Sequence, residues 1–375
     1  MKYFIITFGC QMNKSDSERI ATVLEGRGYK PASKENEADL IVVNMCSVRQ
    51  SAVDRVYGKI NQISNIKNQN DKVKCKIILT GCILPGDKRK LKNKVNLILD
   101  IKNLPNWPKI IEKDKNSLIQ PWQINKSDYL KIKPKYSNRD LVFIPISNGC
   151  NNFCSYCVVP YVRGPLVCRD HKEILEKVKN AVNKGYREIW LLGQNVNSYG
   201  VPRETDAKQN TKQTQNINFA KLLRMINDIP GDFSIRFTSP HPADFTDELI
   251  NTMAKCKKVA HYLNLPVQSG DNEILKKMNR NYTVEQYKNW VEKIREKIPD
   301  INLSTDVIVG FPGETKKHFE NTAKLFKEIK FNLAYIAKYS PRPGTAAFRL
   351  KDNVPLKEKK RREKVLREIL EKQKS

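Results

Sequence analysis

Apolar residues along the chain gather in short β-branched runs, separated by longer stretches with helical spacing. The first run is Tyr3 to Phe8, followed by Gly9-Cys10 and a polar helix start at Ser15-Asp16-Ser17-Glu18. Ala38 to Met45 is the second, Cys75 to Thr80 the third, and Asn96 to Asp100 a short fourth. Helical stretches lie between them at Asp16 to Gly28 and Ser51 to Ile63. Strands alternating with helices predict an α/β fold, here a doubly wound parallel sheet with right-handed crossovers. In such a sheet all strands end on one edge, where ligands bind.

The alternation resumes at Leu141. Strands are predicted at Leu141 to Ser147, Arg187 to Leu192, Ser234 to Thr238, Tyr262 to Val267, Leu303 to Val309 and Leu333 to Lys338, with helices such as Lys172 to Lys184 and Val284 to Lys297 between them. Six consecutive βα units predict a partial (β/α)6 barrel, whose site lies at the C-terminal strand ends. Trp190, Phe237 and Tyr335 lie within strands and read as core or barrel filling. The domains expected are 1–102, an N-terminal α/β domain; 103–138, a linker with prolines and no clear period; 139–350, the barrel; and 351–375, a basic C-terminal helix. Val201 to Asn216 is polar and aperiodic, a surface loop with no chemistry assigned.

Nine cysteines, an odd number, argue against complete disulfide pairing. Cys10, Cys46 and Cys82 each follow a strand at equal spacings of 36 residues, one βα unit each, and so converge on one sheet edge. That arrangement suits a three-thiolate metal or cluster site. The competing reading is three buried thiols packing as small hydrophobes, although structural cysteines favour strand interiors, as Cys75 does. The second pattern is Cys150-x3-Cys154-x2-Cys157, again past a strand. Three such thiolates can hold three irons of a four-iron, four-sulfur cluster and leave the fourth iron open. An open iron can bind the amino and carboxylate groups of S-adenosylmethionine (SAM) and pass an electron to its sulfonium. Zinc is the alternative, but structural zinc takes a fourth protein ligand, and neither Cys168 nor His171 stands at zinc-finger spacing.

With an aromatic, Tyr156, before its last cysteine, this run resembles the radical SAM superfamily motif. Joined to Thr7-Phe8-Gly9-Cys10-Gln11-Met12-Asn13, it resembles the methylthiotransferase family, and the likeness covers almost the whole chain. It continues through Cys46-Ser47-Val48-Arg49, Val158-Val159-Pro160-Tyr161-Val162-Arg163-Gly164, Leu191 to Tyr199, Arg236 to Ser239, Leu265 to Gly270 and Asp306 to Thr315. Gln-Met-Asn after Cys10 and Val-Val-Pro-Tyr after Cys157 are most similar to the branch acting on N(6)-isopentenyladenosine beside the tRNA anticodon. Other branches act on threonylcarbamoyl-adenosine in tRNA or on a ribosomal protein aspartate. The resemblance implies two 4Fe-4S clusters, on Cys150, Cys154 and Cys157 and on Cys10, Cys46 and Cys82. It also implies reductive SAM cleavage and transfer of a methylthio group to carbon 2 of the adenine. The expected SAM contacts are then Tyr156, Gly193, Gln194, Asn195, Ser239, Gln268 and Gly310; no protein acid or base is assigned. Three features depart from the family pattern: Ile83-Leu84-Pro85 after Cys82, Cys168 where a serine is usual, and a family RNA-binding β-barrel that would lie beyond residue 375. A non-catalytic iron–sulfur RNA-binding protein is the reading from another class.

Charge adds a partner. With 68 Lys+Arg against 40 Asp+Glu the net charge is +28, which AT-rich codon bias does not easily produce. A polyanion is expected, nucleic acid ahead of a membrane surface, and with the resemblance the partner is tRNA. Lys357 to Lys374, with Lys359-Lys360-Arg361-Arg362, is the candidate phosphate grip, against a plain solvated helix face. Hydrophobic content of 39% excludes a wholly disordered chain. No apolar run approaches the ~20 residues of a membrane span, and the N-terminal run is too short for a signal peptide. The expectation is a cytoplasmic monomer without membrane attachment. It would be served by an electron donor such as flavodoxin or ferredoxin and by a sulfur donor.

Overall fold

Each β-branched run of the N-terminal third forms a strand. The computed structural model describes residues 1–48, 50–69, 75–112, 128–201 and 216–373. They fall in two units, Met1–Arg139 with Tyr161–Arg163, and Asp140–Pro160 with Gly164–Ser375.

In the first unit the elements are β1 (Lys2–Thr7), α1 (Gln11–Glu25), β2 (Lys30–Pro31), β3 (Leu40–Cys46), α2 (Gln50–Gln69), β4 (Lys76–Cys82), α3 (Pro85–Leu91), β5 (Leu97–Ile98) and α4 (Trp107–Glu112). The strands form one parallel sheet in the order β2-β1-β3-β4-β5. Strand β3 is central and buried throughout. Its Leu40 and Val42 pack into one core layer and its Ile41, Val43 and Met45 into the other, which is why it reads as an unbroken apolar run. Helix α1 begins at Gln11, four residues before the polar signal at Ser15. Ser15, Asp16 and Glu18 are buried on the helix instead of opening it in solvent.

The expected linker, 103–138, is corrected in its described parts. Trp107, Tyr129 and Leu130 are fully buried in the first core layer, and the Trp107 indole donates to the Asp100 carbonyl at 3.1 Å. Aperiodic sequence concealed this because short 3-10 turns and a single helical turn bury isolated large side chains without a repeat. The middle of that stretch, 113–127, lies outside the described residues, as do 202–215 of the polar loop.

The second unit contains β6 (Leu141–Pro145), β7 (Ser147–Asn148), α5 (Val159–Arg163, whose last three residues belong to the first unit), β8 (Val167–Cys168), α6 (His171–Val182), β9 (Glu188–Leu192), α7 (Phe219–Asn227) and β10 (Ser234–Phe237). It continues with α8 (Asp247–Lys255), β11 (Tyr262–Asn264), α9 (Asn272–Lys277), α10 (Val284–Lys297), β12 (Asn302–Val309), α11 (Lys316–Ile329), β13 (Leu333–Lys338) and α12 (Leu356–Lys372). Parallel sheets β10-β9-β6 and β11-β12-β13 are joined by a parallel bridge from Ile235 to Val259. Six strands therefore follow one another in chain order, as the partial barrel requires. The extra antiparallel ribbon β7-β8 pairs Ser147 with Cys168 and Asn148 with Val167. The departing Cys168 is thus a buried ribbon residue.

Helix α12 lies against β13 and α11. Two of its cations are buried and paired, Lys359 with Asp352 at 2.7 Å and Arg362 with Glu314 at 2.6 Å. The Lys359–Arg362 run is therefore half internal, with Lys357, Lys360, Arg361 and Lys364 left exposed. Tyr335, read above as filling, is 42% exposed, because β13 is an edge strand covered by α12 on one face only.

Candidate functional site

In the first unit Cys46 and Cys82 are the last residues of adjacent strands and exact register partners. Cys10 caps the N-terminus of α1 in extended conformation. Gly9 brings the chain so close that a Cβ there would lie 3.0 Å from the Cys46 Cβ and 2.6 Å from the Asn13 amide oxygen. Asn13 ties the group together. Its Oδ1 accepts from the Cys10 thiol at 3.4 Å, and its Nδ2 donates to Asn44 Oδ1 at 2.9 Å and to the Met45 carbonyl at 3.1 Å. The end of β4 needs Gly81: with φ +100°, a Cβ would stand against the Met45 carbonyl.

Burial pushes the Cys46 thiol up to about 12, with charge on Cys82 and Cys10 raising it further. Burial also raises Cys82, while Arg163 opposes it. Thiols in so dry a setting give up their protons when a metal replaces them. The donor set is three thiolates from three strand ends, with no carboxylate among them. Among the described residues no three His, Cys, Asp or Glu side chains close on a single ion. In an iron–sulfur cluster each thiolate binds its own iron, and an all-sulfur donor set suits it. The residues fit a cluster.

In the second unit the three cysteines lie on the loop after β7. Gly149 opens it at φ +87°, where a Cβ would meet the Pro165 carbonyl at 2.0 Å. Gln194 Oε1 accepts from the Gly149 amide at 2.6 Å. The Cys150 and Cys157 amides donate to the Gly164 and Cys154 carbonyls. Ser155 is held to the end of α9 through its amide to Met278 and its hydroxyl to Lys277 at 2.8 Å. Asn279 donates to the Asn152 and Phe153 carbonyls, and Arg280 Nη1 reaches the Cys154 sulfur at 3.6 Å. Burial drives the Cys157 thiol up to about 12, with Cys154 next in effect. Tyr156 packs with Met278, Phe311 and Tyr339. Burial keeps its phenol neutral, against the pull of Arg280.

The other expected SAM contacts lie at strand ends of the same unit. Gly193 passes so near β7 that a Cβ would sit 2.7 Å from Ser147 Oγ. Asn195 is 2% exposed and donates to Asp244 at 2.5 Å, while its buried Oδ1 has no partner among the described residues. Ser239 and Gln268 have φ of +59° and +67°, backbone strain that costs about 1–3 kcal/mol and gathers at ligand sites. Gly310, at φ +71°, is covered by the Lys359 stem, 2.3 Å from where a Cβ would be; this face of it is closed by α12.

Sequence reasoning read Trp190 and Tyr335 as core or barrel filling but missed the polar side chains grouped with them. Arg236 lies over the Trp190 and Tyr262 rings at 5.7 and 5.6 Å and pairs with Glu188. One layer further along the strands, Asn264 donates to Asp306 at 3.0 Å, and Asp306 is the register partner of Tyr335. Trp190, Arg236, Asn264, Asp306 and Tyr335 are spread over more than 140 residues of sequence, so no local motif links them. Period-2 polar residues inside strands of an otherwise apolar barrel were the available signal.

Residues 144–326 match the radical SAM superfamily model, and residues 2–100 match the model described as uncharacterized protein family UPF0004. Over 362 residues the chain is 44% identical to a tRNA-2-methylthio-N(6)-dimethylallyladenosine synthase of Clostridium novyi, covering 94% of this chain and 77% of the relative. The chain belongs to the radical SAM methylthiotransferase family. A second relative of the same description, from Carboxydothermus hydrogenoformans, is 43% identical, with 98% and 82% covered. Among solved structures, the radical SAM methyltransferase TsrM of Kitasatospora setae matches with TM-score 0.61 at 13% identity over 92% of this chain and 77% of that one. That likeness concerns the fold alone. As a member of the family the protein is an enzyme whose cofactors are 4Fe-4S iron–sulfur and SAM. Among the described residues no helix is long and apolar enough to cross a membrane.

Proposed function

We propose that the protein transfers a methylthio group to carbon 2 of N(6)-isopentenyladenosine beside the anticodon of tRNA. It would use one cluster on Cys150, Cys154 and Cys157 and another on Cys10, Cys46 and Cys82. The observation carrying this reading is the pair of all-thiolate trios, each at C-terminal strand ends, in a chain whose relatives are described as synthases of the methylthio-dimethylallyl base. When bound, the clusters and SAM supply the reductive cleavage, the hydrogen abstraction and the sulfur transfer. An electron donor such as flavodoxin or ferredoxin and a sulfur donor complete the reaction.

The chain's own residues bind and orient. Gln194 holds the Gly149 amide and so sets the start of the cysteine loop, and Ser155 and Asn279 fix its middle. Tyr156, Gly193, Asn195, Ser239, Gln268 and Gly310 hold SAM, with Asn195 Oδ1 the acceptor left for it. Asn264 and Asp306 present polar atoms from the barrel wall, one layer beyond the half-buried Trp190–Arg236–Tyr262 stack.

Two measurements test the proposal. After anaerobic reconstitution, dithionite should drive 5′-deoxyadenosine formation from SAM well above a Cys150→Ala control; equal yields would leave only a non-catalytic iron–sulfur protein. In tRNA from a deletion strain, mass spectrometry should show methylthio-isopentenyladenosine replaced by isopentenyladenosine. Loss of the methylthio form of threonylcarbamoyl-adenosine instead would assign the other tRNA branch.

A further inference from the structure

The first unit buries a guanidinium against one of its three strand-end cysteines. Arg163 is 4% exposed. Its Nη2 donates to Asp16 Oδ2 at 2.8 Å, and the Asp16 side chain is 0% exposed. Its Nε donates to the Cys82 sulfur at 3.0 Å. A buried ion pair is weak evidence for stability, since apolar residues of similar volume often serve as well. Direction is what the pair supplies. Asp16 anchors one edge of the planar guanidinium, and the rigid fork then aims Nε–H at a single sulfur. A neutral thiol gains little from a cationic donor, whereas a metal-bound thiolate gains a charge-assisted bond.

We propose that Arg163 is a positioning residue for the iron–sulfur site of Cys10, Cys46 and Cys82, donating Nε–H to the Cys82 thiolate and raising that site's reduction potential. This rests on the reading that these three cysteines hold a cluster. The physical basis is that hydrogen bonds to cluster sulfurs stabilise the more negative, reduced state and so tune the potential. The arginine is a donor at the ligand and takes no part in bond making.

The test uses the full chain with Cys150, Cys154 and Cys157 all changed to Ala, reconstituted anaerobically so that only the first site can load. With Arg163 present it should carry about four irons. A chain without iron would overturn the cluster reading beneath the proposal. In the loaded chain, Arg163→Leu should make reduction about tenfold less favourable, a midpoint lower by about 59 mV for one electron, read by redox titration with electron paramagnetic resonance. Iron retained at an unchanged midpoint would overturn the proposal. A second readout detects the hydrogen bond itself. With guanidino-15N arginine, pulsed resonance of the reduced cluster should show a 15N coupling that disappears on Asp16→Asn loosening or Arg163→Lys replacement. A loaded, Arg163-containing chain without that coupling would also overturn it.

Discussion

Arg362 on α12 and Glu314 in the loop after β12 form an ion pair of 2.6 Å in which the side chains are only 5% and 1% exposed. The Glu314 carboxylate also accepts from the Gly310 amide, and the Lys359 stem covers Gly310. The C-terminal helix thus shapes a strand-end loop expected to touch SAM. Truncating Arg362 to Leu leaves Glu314 buried without its counter-charge and should destabilise the second unit by about 3–5 kcal/mol. Urea unfolding checks this, and adding Glu314→Gln should recover most of the loss.

The cysteines divide by place. On the proposal that each trio holds one cluster, Cys46→Ala and Cys154→Ala should each remove about half the iron of the reconstituted chain. Cys75→Ala and Cys168→Ala, at buried positions outside both trios, should leave iron content unchanged. Iron and sulfide analysis decides it.

Gly149→Ala tests the loop geometry. At φ +87° with a carbonyl 2.0 Å from the new Cβ, the loop must shift bodily. Iron should be lost from the second-unit site while the first-unit site stays loaded. The measurement is iron content of Gly149→Ala in two backgrounds, Cys46→Ala, where iron should be lost, and Cys154→Ala, where it should be unchanged.

Exposed lysines on α12 offer a cleaner probe of phosphate contact than deleting the helix, which would also strip Glu314 of its partner. Changing Lys357, Lys360 and Lys364 to Gln should lower the salt slope of tRNA binding by up to about 3, roughly one per phosphate contact. Binding measured over a salt series reads this directly. An unchanged slope would place the grip elsewhere on the cationic surface.

Acid should loosen the same helix. Hydrogen bonds from Arg361, and then Arg362, pull the Glu358 carboxyl down to about 2 against modest burial. A carboxyl depressed in the folded state stabilises it only while ionised. Its contribution is complete above the ordinary value of 4.5 and fades as pH falls toward 2. Glu358→Gln should therefore flatten the acid limb of a stability–pH curve between those values and cost about 0–1 kcal/mol at neutral pH, as for a solvent-facing pair.

Sequence alone determined the order of strands and helices and the convergence of Cys10, Cys46 and Cys82. Period and spacing are local properties, and a parallel sheet turns equal βα spacings into neighbours on one edge. It likewise exposed the Cys150–Cys157 run, whose three cysteines lie close together in the chain. Tertiary structure alone decided the rest. Trp107 and Tyr129 became core because burial of a large ring depends on the space opposite it, not on a repeat. Lys359 and Arg362 became internal because Asp352 and Glu314 meet them from other segments. Asn44 and Arg163 joined the cysteine site through hydrogen bonds whose partners lie 31 and 81 residues away. Charge and polarity can be counted along a chain, but which of those groups face water is settled only when distant segments pack.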